Sequence, residues 1–159
     1  VAILLLGSNV GDRSRQLDKA IALLGRLGSG LQASRIYETE PWGNRQQARF
    51  LNQVVTLQTG LSARALLAAA LETEEALGRR RAEKWAPRSI DIDILFFGDD
   101  VIAEPDLQVP HPQIPFRRFA LVPLAELLPD FIHPTEKKTI RSLLDACTDP
   151  LGVVVFSGC

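Results

Sequence analysis

Ile90-Asp91-Ile92-Asp93-Ile94-Leu95-Phe96-Phe97 is the stretch on which the reading of this chain turns. β-branched and aromatic residues dominate it, and its first half alternates apolar with charged, so it predicts a strong strand over Ile90–Phe97. Side chains of a strand alternate between faces, which puts Asp91 and Asp93 on one face and the isoleucines on the other, toward a core. The two Cα atoms then lie roughly 6–7 Å apart. Asp disfavours strands, and neighbouring like charges repel, so a merely solvated sheet face explains the pair poorly. Two carboxylates at this separation can share a pair of divalent cations. Their hard oxygens suit magnesium, which takes few protein ligands and completes its shell with substrate phosphates and water.

Immediately upstream, Arg79, Arg80, Arg81, Lys84 and Arg88 form a basic loop. Such a run is often only a solvated face. Here it leads into a metal-type carboxylate pair, and the guanidinium fork matches phosphate oxygens. Cations opposite a two-metal site are what phosphoryl transfer needs, because that chemistry depends on positioning and charge neutralisation.

Further upstream, Ser62 is placed to cap a helix with Leu66, Ala70, Glu74 and Leu77 on one stripe, and Gly78 stands at its C-terminal cap. Phe50–Thr59 reads as a strand with Leu51, Val55 and Leu57 on one face. Glu40–Arg49 reads as a loop and Leu31–Thr39 as one strand. Asp12–Leu27 carries Leu17, Ile21 and Leu24 at helical spacing, and the apolar run Val1–Leu6 reads as a buried strand. Downstream, Gly98-Asp99-Asp100 turns into a brief strand at Val101–Ile102. Pro-rich sequence follows, with a helix over Phe116–Leu128 interrupted at Pro123, a helix over Thr139–Ala146 and a late strand at Val153–Phe156.

The order β-α-β-β-α-β predicts an α+β, ferredoxin-like core: an antiparallel sheet with two helices on one face, extended by C-terminal helices. No linker divides the chain, so 1–159 reads as a single domain. With 46% hydrophobic and 23% charged residues the composition is that of an ordinary globular protein. A net charge of -1 gives no reason to expect nucleic-acid or membrane partners. The apolar runs are too short to span a bilayer, and no signal peptide is evident. Cys147 and Cys159 form no zinc-type cluster, so free thiols in a cytoplasmic protein are expected. The chain opens without Met, and a few residues are expected upstream. Phosphate-binding loops of the Walker type and protein-kinase signatures are absent from the sequence. Gly7-Ser8-Asn9 is a weak signal alone, and His111 in Val109-Pro110-His111-Pro112 is by itself as often structural as functional.

Taken in order, Gly7-Ser8-Asn9, Tyr37-x-Thr39-x-Pro41-x-Gly43, Phe50-Leu51-Asn52, Gly78-Arg79-x-Arg81, Trp85-x-Pro87-Arg88-x-x-Asp91-x-Asp93, Val109-Pro110-His111-Pro112, Arg117-x-Phe119 and Pro123-Leu124 resemble the 6-hydroxymethyl-7,8-dihydropterin pyrophosphokinase family of folate biosynthesis. The resemblance runs from Val1 to about Leu144, and the Trp-x-Pro-Arg-x-x-Asp-x-Asp segment is its most specific part. It implies transfer of pyrophosphate from ATP to the pterin hydroxymethyl group, with release of AMP. It also implies that Asp91 and Asp93 hold two magnesium ions and that Arg79 and Arg88 stabilise the transferring phosphates. Glu74, Arg81, Trp85, Arg88, His111, Pro112 and Arg117 would form the ATP site. Thr39, Trp42, Phe50, Asn52 and Phe119 would form the pterin site, with the two phenylalanines stacking on the ring. Phe50 stands where some members have Tyr, and Glu40, Trp42 and Leu71 also depart from the familiar pattern. A monomer acting on these two small molecules is the expectation.

Two other readings remain at this level. A ferredoxin-like RNA-binding module shares the strand order, but the strands lack its aromatic signature. A metal-dependent phosphohydrolase would put water in place of the pterin.

Overall fold

The computed structural model describes residues 1–8, 11–39, 49–78 and 90–157. Strand β1 (Ala2–Ser8) lies centrally, antiparallel to β4 (Phe50–Gln58) on one side and to β5 (Asp91–Phe97) on the other. Beyond β4 come β2 (Ser29–Ala33) and β3 (Tyr37–Thr39), and β8 (Val153–Val155) pairs outside β3. The resulting order, β5-β1-β4-β3-β8 with β2 on β4, is the ferredoxin-like arrangement with one added edge strand.

Helices α1 (Arg13–Leu24) and α2 (Ala63–Ala76) cover one face. Leu17, Ala20 and Leu24 of α1 and Leu66 and Ala70 of α2 pack on Leu4, Leu6, Leu51, Val55, Ile92 and Ile94. The opposite face carries the C-terminal extension, helices α3 (Arg118–Leu127) and α4 (Ile140–Ala146). Ile3, Leu5, Val54, Leu95 and Phe96 meet Leu121, Leu124, Ile140 and Leu143 there. This two-sided cover explains why β1 is an unbroken apolar run: both sets of alternating side chains are buried.

Strand β5 contains a bulge. Ile3 pairs with Phe96 but Leu4 pairs with Ile94, leaving Leu95 as the extra residue. Leu95 and Phe96 consequently join the same core although they are consecutive.

Several predicted boundaries need correction. The segment expected as one strand over Leu31–Thr39 is two, because Ser34 breaks the ladder: its hydroxyl accepts the Val54 N–H at 3.0 Å and its carbonyl accepts from the Gln53 side chain at 2.7 Å. Helix α1 stops at Leu24, and residues 25–27 continue as a single 3₁₀ turn. Asp12 caps α1 and does not enter it. Helix α3 begins at Arg118 and runs through Pro123, whose missing N–H costs one helical bond while its ring is buried. The brief strand at Val101–Ile102 is a hairpin, β6 (Ile102–Glu104) with β7 (Leu107–Val109). The cap at Ser62, Gly78 at φ 114°, and the late strand β8 agree with expectation.

Candidate active site

The sheet register sets the site. Asn52 pairs with Gly7, and Gly7 pairs with Asp91, so these three residues form one row across β4, β1 and β5. Two strand spacings separate the ends of this row, roughly 10 Å. Leu6 and Leu51 point into the α1–α2 core, so Gly7 and Asn52 belong to the other face, with Asp91 and Asp93. Ile92 and Ile94 pack into the α1–α2 core, as the alternation requires. Gly7 keeps the middle of the row open: a Cβ there would stand 3.0 Å from Asn52 Oδ1. Asn52 is almost fully buried and donates from Nδ2 to Thr39 Oγ1 at 3.2 Å. Phe50 sits at the start of the same strand, opposite Thr39.

Asp91 is half-buried and Asp93 is exposed. Among the described residues no group of three or more metal-type side chains gathers, so this pair is the donor set that β5 offers. Two carboxylates on one face fit a magnesium ion that draws its remaining ligands from phosphates and water. Glu74, expected in the ATP site, is buried at 4% exposure, and its Oε2 accepts the Ile92 N–H at 2.7 Å. It braces the strand between the two aspartates.

Two clefts meet here. One, on the α3 face, is lined by Leu5, Asp93, Leu95, His111, Arg117 and Phe119. The other, of about 330 Å³, lies between α2 and the β6–β7 hairpin and is lined by Leu67, Ile94, Pro105, Asp106, Gln108 and Pro112. Asp93 and His111 border both. The His111 backbone is fixed by its N–H, which donates to the carbonyl of the bulged Leu95 at 2.9 Å. Its Nδ1 accepts the Gln113 N–H at 3.2 Å, so the neutral ring carries its proton on Nε2 and can donate into the site. The hairpin wall is gripped from α2: Arg64 donates to both Asp106 oxygens at 3.0 Å and also to Glu104.

The structure thus brings Asp93, His111, Pro112, Arg117 and Phe119 around one junction, with Asp91 two residues before Asp93 on the same strand and Thr39, Phe50 and Asn52 along the same sheet face. Trp42, Arg79, Arg81, Trp85 and Arg88 lie outside the described residues, as do the basic loop and most of the predicted 40–49 loop. The second cleft was not anticipated. Its signal was the turn pair Pro105-Asp106, which marks a hairpin tip.

The chain is similar to proteins of known family. A model of the 7,8-dihydro-6-hydroxymethylpterin-pyrophosphokinase family matches residues 3–129. The chain is 42% identical over 136 residues to a 2-amino-4-hydroxy-6-hydroxymethyldihydropteridine pyrophosphokinase of Aquifex aeolicus, covering 86% of this chain and 85% of that protein. A protein of the same name from Methylorubrum extorquens is 41% identical over 155 residues, covering 96% of each. Among solved structures, an HPPK-DHPS in complex with substrates superposes with a TM-score of 0.73 at 16% identity, over 91% of this chain. The Plasmodium falciparum wild-type HPPK-DHPS does so at 0.70 and 17% identity, also over 91%. The chain spans 44% of the length of each of those two, and at such identities the likeness speaks for the fold.

Proposed function

The chain belongs to the 7,8-dihydro-6-hydroxymethylpterin-pyrophosphokinase family and is an ATP-dependent pyrophosphokinase of folate biosynthesis, and from that premise we propose how its residues divide the reaction. The pterin hydroxymethyl oxygen attacks the β-phosphorus of ATP. The bond from that phosphorus to the oxygen it shares with the α-phosphate breaks, and AMP leaves with that oxygen. The observation that carries the division of labour is the junction at Asp93 and His111, where two clefts open on either side of one carboxylate-bearing strand.

ATP takes the cleft between α2 and the hairpin, whose Leu67, Ile94 and Pro105 suit the flat faces of a base. The pterin takes the other face. Asn52 reads its edge by hydrogen bonds, Phe50 and Phe119 stack on its ring, and Thr39 holds Asn52 in register. Trp42 belongs to the same group by its place in the sequence. Asp91 and Asp93 hold two magnesium ions, which when bound neutralise phosphate charge and ease deprotonation of the acceptor hydroxyl. His111 donates from Nε2 and Arg117 from its guanidinium to phosphate oxygens. Arg79 and Arg88 act on the charge that moves during transfer, and Arg81 and Trp85 complete the nucleotide site. Glu74 contributes through the strand it braces. Monomeric action is part of this proposal. No helix among the described residues is long and apolar enough to cross a membrane.

Incubation with ATP, magnesium and 6-hydroxymethyl-7,8-dihydropterin tests the reading. AMP should form only when the pterin is present. Phosphate release without pterin would indicate a hydrolase, and AMP formation at the same rate without pterin would remove the acceptor role.

A further inference from the structure

The residues proposed to hold the pterin come from different elements, Thr39 from β3 and Phe119 from α3. One short piece of chain touches both, and it lies beyond the residues that the family model matches. Asp149 is 7% exposed. Its Oδ2 accepts the Arg118 N–H at 3.0 Å, and its Oδ1 accepts the Leu151 N–H at 3.0 Å. Its backbone carbonyl accepts from Arg118 Nε at 3.2 Å. Four residues later β8 begins, pairing Val153 with Thr39 and Val155 with Tyr37, and the Phe156 N–H donates to the Ile36 carbonyl at 2.8 Å.

The first turn of a helix has backbone N–H groups without helical partners. The N-cap residue of α3, Arg117, offers no side-chain cap of its own. Asp149 supplies that cap from a distant part of the chain, and a carboxylate suits the positive end of the helix. The N–H it takes belongs to Arg118, which stands between Arg117 and Phe119. The cap therefore fixes the helix start from which both site residues project, while β8 fixes the strand that carries Thr39.

We propose that residues 149–155 form a strap that sets the spacing between α3 and β3, and that Asp149 is a positioning residue for substrate binding, acting through Arg117 and Phe119. The proposal rests on the assignment of the pterin and ATP sites given above. The Asp149 carboxylate bonds to Arg118 and Leu151, and the strap bears on substrate affinity through Arg117 and Phe119, which line one cleft with Asp93.

The test compares wild type, Asp149→Ala, Asp149→Asn and Arg118→Met, each assayed well below its own melting temperature. Pterin binding is read separately by pterin fluorescence. Asp149→Ala should raise the KM for pterin about tenfold, with a smaller rise for ATP and kcat within about twofold, since loss of a cap shifts an equilibrium by that order. Asp149→Asn keeps one acceptor oxygen and should fall between. Unchanged KM values in folded Asp149→Ala, or a loss confined to kcat, would overturn the proposal and leave Asp149 a stability residue. If Asp149→Ala does not fold, Asp149→Asn decides by the same criterion. Arg118→Met keeps the capping backbone N–H, and a KM rise there as large as in Asp149→Asn would assign the effect to the arginine side chain and overturn the role of the cap. Turnover by wild type in the same assay separates failure of the strap from failure of the functional reading.

Discussion

Glu74 reaches from α2 to accept the N–H of Ile92, the one residue that separates Asp91 from Asp93, with 2.7 Å between the heavy atoms. A buried carboxylate thus fixes the backbone of the strand that presents two others. Removing it in Glu74→Ala leaves a buried N–H without this partner, a change worth about 1–3 kcal/mol of stability. Urea unfolding should show that loss, and the magnesium concentration giving half-maximal rate should rise. Glu74→Gln keeps an acceptor and should lie nearer wild type on both measures. An Ala variant with wild-type magnesium dependence would confine Glu74 to packing.

Asp91→Asn and Asp93→Asn keep the shape of each side chain and remove its charge. Either should lower kcat on the order of 100-fold or more, the rate equivalent of the several kcal/mol that bound metal charge supplies. Thermal melting should stay at or slightly above the wild-type value, because a like-charge pair is relieved. Near-normal turnover at ordinary magnesium would remove the assignment of both ions to this pair.

Gly7 lies between Asn52 and Asp91 in the cross-strand row, and its missing side chain leaves room for Asn52 Oδ1. Gly7→Ala should push the Asn52 amide aside, raise the pterin KM several-fold and cost about 1–3 kcal/mol from crowding. The ATP KM should move little. A uniform change in both substrates would point to a general disturbance of β1.

Arg64 holds the tip of the β6–β7 hairpin through Asp106 and Glu104 at an exposed position. Without it, two carboxylates face each other and the incoming nucleotide. Arg64→Ala should raise the KM for ATP about two- to fivefold, as expected of exposed ion pairs, with less effect at high salt. The pterin KM should hold. Identical ATP kinetics in the variant at low salt would show that the hairpin keeps its place without this grip.

His133 is buried against Phe96, and its Nδ1 accepts the N–H groups of Thr135 and Glu136. Burial lowers its pKa from the ordinary 6.5, against a weaker opposing pull from Glu136. The unfolded chain therefore takes up the proton first as pH falls. Stability from this group is complete above 6.5 and declines as pH drops from there through the folded value. Melting temperatures from pH 8 to 5 should show that decline in wild type, and it should be smaller in His133→Gln. Equal slopes in both proteins would assign the acid sensitivity elsewhere.

Most of the architecture was legible because its signals are local. Alternation through Ile94 fixes which way the aspartates point, and the cap at Ser62 marks a helix start. The bulge was not legible, since Leu95, Phe96 and Phe97 are all apolar and hide a change of phase. Ser34 gave no warning that it would split a strand, because the cause is its pairing with Val54 some twenty positions away. Glu74 did leave a trace: a carboxylate on the apolar stripe of α2 needs a buried partner. Asp149 left none, because its partner Arg118 lies 31 residues upstream.

The extra residue in β5 also bears on how a chain of this kind can change in length. Removing Leu95 would let the ladder close between Ile94 and Phe96 without exchanging inward and outward faces along the rest of the strand. Deletion at a regularly paired position would re-phase every residue beyond it. Yet Leu95 supplies the carbonyl that anchors His111. A lineage that shortened this strand would therefore keep its fold and loosen its nucleotide, and a Leu95 deletion that retains both its circular dichroism and its ATP affinity would show the anchor to be dispensable.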